Sequence, residues 1–165
     1  MIRILNENDV DHFIKIRKDS LQLDPKSFGA MPNVKIDREQ TIKDLKKKDE
    51  ENFILGYFEN EKLVGILGFI RNHNKKIRHK GYIWGVFVYQ EFRGKKIGDR
   101  LMQECIERAS NLPGLQKILL SVSHISQNAL YLYEKLGFEI YGTEPNAMMW
   151  EGERIDEIFM QKVIF

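Results

Sequence analysis

Tyr82-Ile83-Trp84-Gly85-Val86-Phe87-Val88-Tyr89 is an apolar, β-forming run, and Arg93-Gly94-Lys95-Lys96-Ile97-Gly98 follows it directly before the amphipathic stretch Asp99 to Asn111. Strand, glycine-containing turn and helix therefore occur in immediate succession, and that order builds an anion site. The first amides of a helix have no intrahelical acceptor, and the aligned peptide dipoles add partial positive charge at the same end. Gly94 and Gly98 place no Cβ in the way of a ligand, while Arg93, Lys95 and Lys96 bring three cations. Read alone, the same segment also fits a surface turn with solvated charges.

Working outward, Leu101, Met102, Cys105, Ile106 and Ala109 recur at helical spacing, Pro113-Gly114 ends that helix, and Lys117 to Val122 reads as a strand. A strand, helix, strand unit of this size implies parallel pairing through a right-handed crossover. Upstream, Phe53 to Phe58 and Leu63 to Arg71 flank the turn-like Glu59-Asn60-Glu61-Lys62, which predicts an antiparallel hairpin. Ile2 to Leu5 predicts a short strand, and Asn6 or Asn8 caps a helix carrying Val10, Phe13, Ile14 and Ile16. Leu21 to Val34 reads as a loop covering a pocket, because it holds Phe28 and Met31 among Pro25, Gly29 and Pro32. Asp37 to Lys48 predicts a polar helix. Ser126 or Asn128 caps a last helix through Leu136, Gly137 stops it, and Phe138 to Tyr141 and Glu157 to Ile164 read as closing strands. The expected fold is mixed α/β, one central β-sheet flanked by helices.

The 165 residues suit one domain spanning 1–165, and 26 basic against 24 acidic residues leave a net charge of +2. That balance gives no call for nucleic acid, and Arg71 to Lys80 reads as a solvated basic loop without interleaved stacking aromatics. Cys105 is the only cysteine, so no internal disulfide forms and the cytoplasm is the expected location. The N-terminus turns polar too early for a signal peptide, and no apolar run has membrane-spanning length, so no membrane partner is expected.

The chain resembles the GNAT superfamily of acyl-CoA-dependent N-acetyltransferases, and two separated motifs carry the resemblance. Val86-Phe87-Val88-Tyr89-Gln90-Glu91-Phe92-Arg93-Gly94-Lys95-Lys96-Ile97-Gly98 is similar to the family's strand, short link and Q/R-x-x-G-x-G/A pyrophosphate loop. Ala129-Leu130-Tyr131-Leu132-Tyr133-Glu134-Lys135-Leu136-Gly137-Phe138 is similar to its A-x-x-L-Y-x-x-x-G-F helix end. Either motif alone is weakly specific; both in this order, with a βαβ unit between, identify the family. The family's first loop glycine falls on Lys96, whose side chain must point away from the pyrophosphate or join it as a cation. The family often has an asparagine seven residues before the tyrosine; Ser126 stands there and Asn128 two positions later, so both are cofactor candidates and Ser126 reads equally as a helix cap.

The resemblance implies acetyl-CoA as co-substrate and direct attack of a neutral amine on its thioester; no metal is expected, because His12, His73, His79 and His124 include no close pair with ligand spacing apart from His73 and His79 across a basic loop. It places coenzyme contacts at Phe87, Val88, Arg93, Gly94, Lys95, Lys96, Ile97, Gly98 and Asp99, with the pantetheine arm along an open strand edge at Phe87 and Val88. It also makes an amide near Val88 the oxyanion donor and Tyr133 the group that protonates or hydrogen-bonds the leaving sulfur. Tyr131 sits about 200° around the helix from Tyr133 and cannot share its site. His124, just past a strand whose carboxyl end faces the ligand crevice, is the candidate general base ahead of His79, and water is the other possibility. Phe28, Trp84 and the segment Gly142 to Glu151, with Glu144, are expected to form the acceptor entrance. The acceptor is a small-molecule or peptide amine, with a homodimer left open. A non-catalytic acyl-CoA sensor is the alternative.

Overall fold

The computed structural model describes all 165 residues, with seven strands in the order β1-β2-β3-β4-β5-β7-β6. These are β1 (Ile2–Ile4), β2 (Asn52–Glu59), β3 (Lys62–Arg71), β4 (Lys80–Val88), β5 (Lys117–Ser123), β6 (Glu139–Trp150) and β7 (Glu153–Val163). The helices are α1 (Val10–Leu23), α2 (Arg38–Lys46), α3 (Ile97–Ser110) and α4 (Gln127–Lys135). Asn6 rather than Asn8 makes the capping box, ahead of a short 3-10 turn that runs into α1. The β2–β3 hairpin turns on Asn60 and Glu61, both at positive φ, which matches the right-handed twist of its strands.

Helices cover both faces of the sheet. A Cβ on Gly65 of β3 would meet Ile97 and Leu101 of α3, whereas Gly68, on the opposite face, lies under the indole of Trp84. One contiguous cluster of 30 buried residues runs through these layers, so the chain packs around one core. Phe53 and Phe69, cross-strand partners stacked at 5.0 Å, are both fully buried, and burying each stabilises by roughly 1.5–3 kcal/mol.

Only β4 and β5 run parallel, and they pair only from Lys80↔Lys117 to Tyr82↔Leu119. Beyond Tyr82, β4 stays with β3 while β5 stays with β7 through Ser123↔Glu157. The cause lies in β4 itself. Its register against β3 shifts between Trp84 and Phe87, and Gly85, at φ +65, supplies the extra residue of a bulge that turns the strand. The sheet therefore parts in its middle, at the carboxyl ends of its two central strands.

Two expectations are corrected. The closing strands do not stop at Tyr141 or start at Glu157: β6 and β7 extend through Gly142 to Glu151 and meet at a two-residue turn, Glu151 (φ 49) and Gly152 (φ 80). Register shifts at Ile140/Gly142 and Glu144/Met148 accommodate Pro145 and Asn146, so a run that breaks alternation still pairs. Nor is Arg71 solvated. It is 4% exposed, donating to Glu51 and to the carbonyls of Arg78 and Pro113, and so ties the basic loop to the sheet.

Candidate active site

The parted strands make a gap whose walls differ in chemistry. On one wall, Tyr89 donates its amide to Val64 of β3, so by antiparallel alternation the amide and carbonyl of Val88 face away from β3 into the gap. The Val88 carbonyl accepts from Arg93 Nε at 2.8 Å. Phe87 is buried beneath, with the Arg93 guanidinium 5.6 Å from its ring centre.

Where β4 ends, the glycine loop leads into α3. Lys96 is the N-cap residue, at φ 62 and ψ 24, and no side chain caps the helix. The first helical bond there is from Arg100 to the Lys96 carbonyl, which leaves the amides of Ile97, Gly98 and Asp99 without intrahelical acceptors. Gly94, at φ +84, would have no atom within 4 Å of a Cβ. Positive φ at 94 and 96 aims successive amides into one concavity, an arrangement that receives phosphate oxygens. The left-handed geometry at position 96 also explains why a glycine suits it and why lysine there carries strain.

The three cations are not equivalent. Arg93 pairs with Asp24 at 2.9 Å, and Lys95 lies 3.7 Å from Glu59, whereas Lys96 is exposed and in no ion pair. Asp99 turns toward α4, with Lys135 at 3.9 Å, and accepts from Gln103. A Cβ on Gly98 would sit 3.6 Å from Leu132, an ordinary contact, so α3 and α4 pack closely at this point.

The helix carrying Tyr133 ends in a Schellman motif: Phe138 donates to the Tyr133 carbonyl, Gly137 donates to Glu134, and Gly137 takes φ +93. Phe138 packs on the Tyr133 ring at 6.1 Å. The Tyr-x-x-x-Gly-Phe spacing is thus a device that fixes one ring. Tyr133 is 6% exposed, and burial alone pushes its phenol up from the ordinary value. Tyr131, 71% exposed, points elsewhere.

Ser126 stands at the N-cap of α4 but does not cap it; its hydroxyl lies 3.0 Å from that of Ser27. Asn128, the second residue of α4, is exposed. The segment after α1 crosses the gap by three ties, Asp24 to Arg93, Ser27 to Ser126 and Lys26 to Glu153. The loop begins later than expected, because Leu21 to Leu23 belong to α1; Phe28 packs against the core, whereas Met31 is exposed. His124 is held differently: its Nδ1 accepts the Asp156 amide at 2.9 Å, so in the neutral ring the proton sits on Nε2. His79 is at the opposite end of β4, where its carbonyl accepts from Gln116 and Lys117. Glu144 is exposed on β6, opposite Glu157.

On the loop side, Phe28 and Trp84 come together around a residue the sequence reading passed over. The Arg17 guanidinium lies 5.2 Å from the Phe28 ring centre and 5.9 Å from that of Trp84. Its Nη1 is buried with no hydrogen-bond partner, 3.6 Å from where a Cβ on Gly85 would stand. Burial pushes the guanidinium down from its ordinary value, and no carboxylate opposes that effect. One signal was available: Phe13, Ile16, Arg17, Ser20 and Leu21 form an i, i+3, i+4, i+7, i+8 stripe, with a charge in the face that enters the core.

The central sheet thus parts beside the unpaired amides at the start of α3, and α4 carries a buried tyrosine held by its helix-end motif. The chain belongs to the acetyltransferase (GNAT) family, whose family model matches residues 18–138. The L-amino acid N-acetyltransferase AaaT of Escherichia coli is 31% identical over 80 residues, 48% of this chain and 49% of that protein. The L-methionine sulfoximine/L-methionine sulfone acetyltransferase of Pseudomonas aeruginosa is 36% identical over 76 residues, 46% of this chain and 44% of its own. The chain spans about half the length of the curated relatives it matches. Among solved structures, the GNAT-family acetyltransferase of Streptococcus pneumoniae superposes with a TM-score of 0.90 at 25% identity, covering 100% of this chain and 99% of that one. The putative acetyltransferase yncA of Salmonella typhimurium, solved with its cofactor acetyl-CoA, gives 0.87 at 18% identity, covering 100% and 94%, a likeness of fold. No helix is long and apolar enough to cross a membrane, and no group of three His, Cys, Asp or Glu converges.

Proposed function

We propose that this chain transfers the acetyl group of acetyl-CoA directly to the primary amine of a small molecule, of the amino-acid class that its relatives' names specify. The observation that carries the reading is the parting of β4 from β5 beyond Tyr82, which leaves the Val88 amide facing an open gap next to the uncapped start of α3. Acetyl-CoA supplies an acetyl group already activated as a thioester. The amides from Gly94 to Asp99 and the free cation of Lys96 fit its pyrophosphate, and the Val88 strand edge fits its amide-bearing arm. The Val88 N–H donates to the oxygen that gains charge as the amine attacks; a donor of this kind is worth about 3 kcal/mol of barrier.

Tyr133 acts at the sulfur. An ordinary phenol near 10 is already about 2 kcal/mol too weak an acid to protonate a thiolate near 8.5 outright, and burial favours the protonated Tyr133 phenol. Tyr133 therefore serves by donating a hydrogen bond rather than by giving up its proton. His124 would have to take a proton at Nδ1, breaking its bond to Asp156, so water receives the ammonium proton. Cys105, fully buried and pushed up by that burial, forms no acyl intermediate. Buried thiol of this kind also suits a reducing, cytoplasmic setting.

The test is steady-state thiol release from acetyl-CoA with a panel of amines. The proposal expects release to depend on an amine and to match N-acetylated product one for one. Tight acetyl-CoA binding with no amine raising the rate above hydrolysis would instead make the chain an acyl-CoA sensor.

A further inference from the structure

Arg17 is half-buried, and its Nη1 is a cationic nitrogen shut from solvent with no partner. By contrast, Arg93, on the same side of the sheet opening, takes both a carbonyl and a carboxylate. The two acids that follow Arg17 in the chain are engaged elsewhere, Asp19 by Lys15 and Tyr89 and Asp24 by Arg93. The Phe28 and Trp84 rings both lie against the guanidinium, at 5.2 and 5.9 Å, and the shelf at Gly68 fixes Trp84, because a Cβ there would come within 2.2 Å of the indole. A buried donor of this kind persists when something supplies its acceptor.

From these contacts we infer that Arg17 is the specificity-determining anchor for a carboxylate on the acceptor, so that the substrate class is α-amino acids rather than simple amines. The inference rests on the acetyltransferase reading above. Position supports it: Gly85, beside Arg17, precedes Val88 by three residues, which sets an upper limit of about 10 Å because the bulge at Gly85 shortens the extended span. An α-amino acid, with amine and carboxylate on one carbon, spans that interval once a hydrogen bond of about 2.8 Å at one end and an attack distance of about 3–3.5 Å at the other are allowed for. Arginine's planar fork suits a carboxylate, and the flanking rings leave it little freedom to lose on binding. A simple amine would leave the same nitrogen unpaired in the complex, and sites built to hydrogen-bond a substrate group discriminate strongly against analogues lacking it.

The experiment compares initial rates of thiol release for L-amino acids and for the corresponding amino acid amides, in the natural chain, Arg17→Lys and Arg17→Gln. Acetyl-CoA affinity by calorimetry and melting temperature are recorded for each. The natural chain should favour the acids by at least about tenfold in kcat/KM. Arg17→Gln should erase that preference through KM with acetyl-CoA affinity unchanged, and Arg17→Lys should keep part of it. Equal rates for acids and amides in the natural chain, or a preference that survives in Arg17→Gln, would overturn the inference while leaving the transferase reading intact. Refusal of both members of every pair by a chain that binds acetyl-CoA would remove the transferase reading, and the inference with it. The comparison in the natural chain decides the matter even if Arg17→Gln does not fold.

Discussion

The hydroxyls of Ser27 and Ser126 lie 3.0 Å apart across 99 positions of sequence. This contact draws the segment after α1 onto the start of α4, and it gives Ser126 a partner that is neither a helix amide nor a ligand. Asn128 has no such engagement. Asn128→Ala should therefore weaken acetyl-CoA binding severalfold and Ser126→Ala should leave it within about twofold, both by calorimetry. The reverse order would make Ser126 the coenzyme contact.

Lys96 holds left-handed backbone at the start of α3, at a cost of roughly 1–2 kcal/mol for a residue with a Cβ. Glycine removes that strain but loses about 0.5–1 kcal/mol of chain entropy. Lys96→Gly should raise the melting temperature by about 1–4 °C. If the loop works through its amides, acetyl-CoA affinity stays within about threefold; a larger loss would show that the Lys96 ammonium carries the pyrophosphate.

Removing only the hydroxyl of Tyr133 leaves its ring against Phe138. Tyr133→Phe should keep the fold and the acetyl-CoA affinity while lowering kcat at least about tenfold, a loss of order 1.4 kcal/mol. An unchanged kcat would take Tyr133 out of the chemistry.

Asp9 is 5% exposed and receives two bonds of 2.7 Å from the Arg3 guanidinium, which holds its carboxyl below the usual aspartate range. A folded value below the unfolded one gives stability that is complete above about pH 4 and is lost as pH falls through the folded value. Melting temperature should drop below about pH 4, and Asp9→Asn should be less stable at neutral pH with a shallower acid slope. Identical acid slopes would show that the Arg3–Asp9 pair contributes nothing.

What sequence makes legible here is what is local. The turn at Gly94 and the Tyr133-to-Phe138 helix end fold by contacts within a few residues, the Schellman geometry at Gly137 is written in its spacing, and β4 shows in its own apolar, β-forming run although its partners are distant. The extent of β6 was hidden because Pro145 and Asn146 interrupt the alternation that marks a strand, while β7 pairs across the interruption. Arg17 was hidden for another reason. Its meaning depends on Phe28 from a loop and Trp84 from the central sheet, which only the folded chain brings around it. His124 looked like a base because it follows β5, yet the Asp156 amide that occupies its Nδ1 arrives from β7.

The central claim is that the gap between β4 and β5 receives acetyl-CoA with its reacting end between Val88 and Tyr133. A crystal structure of the acetyl-CoA complex measures this most directly. The account predicts the pyrophosphate on the amides from Gly94 to Asp99, the thioester oxygen within hydrogen-bond distance of the Val88 N–H, and the sulfur within reach of the Tyr133 hydroxyl. Acetyl-CoA seated outside the gap, or inside it with its sulfur turned away from Tyr133, would contradict the claim.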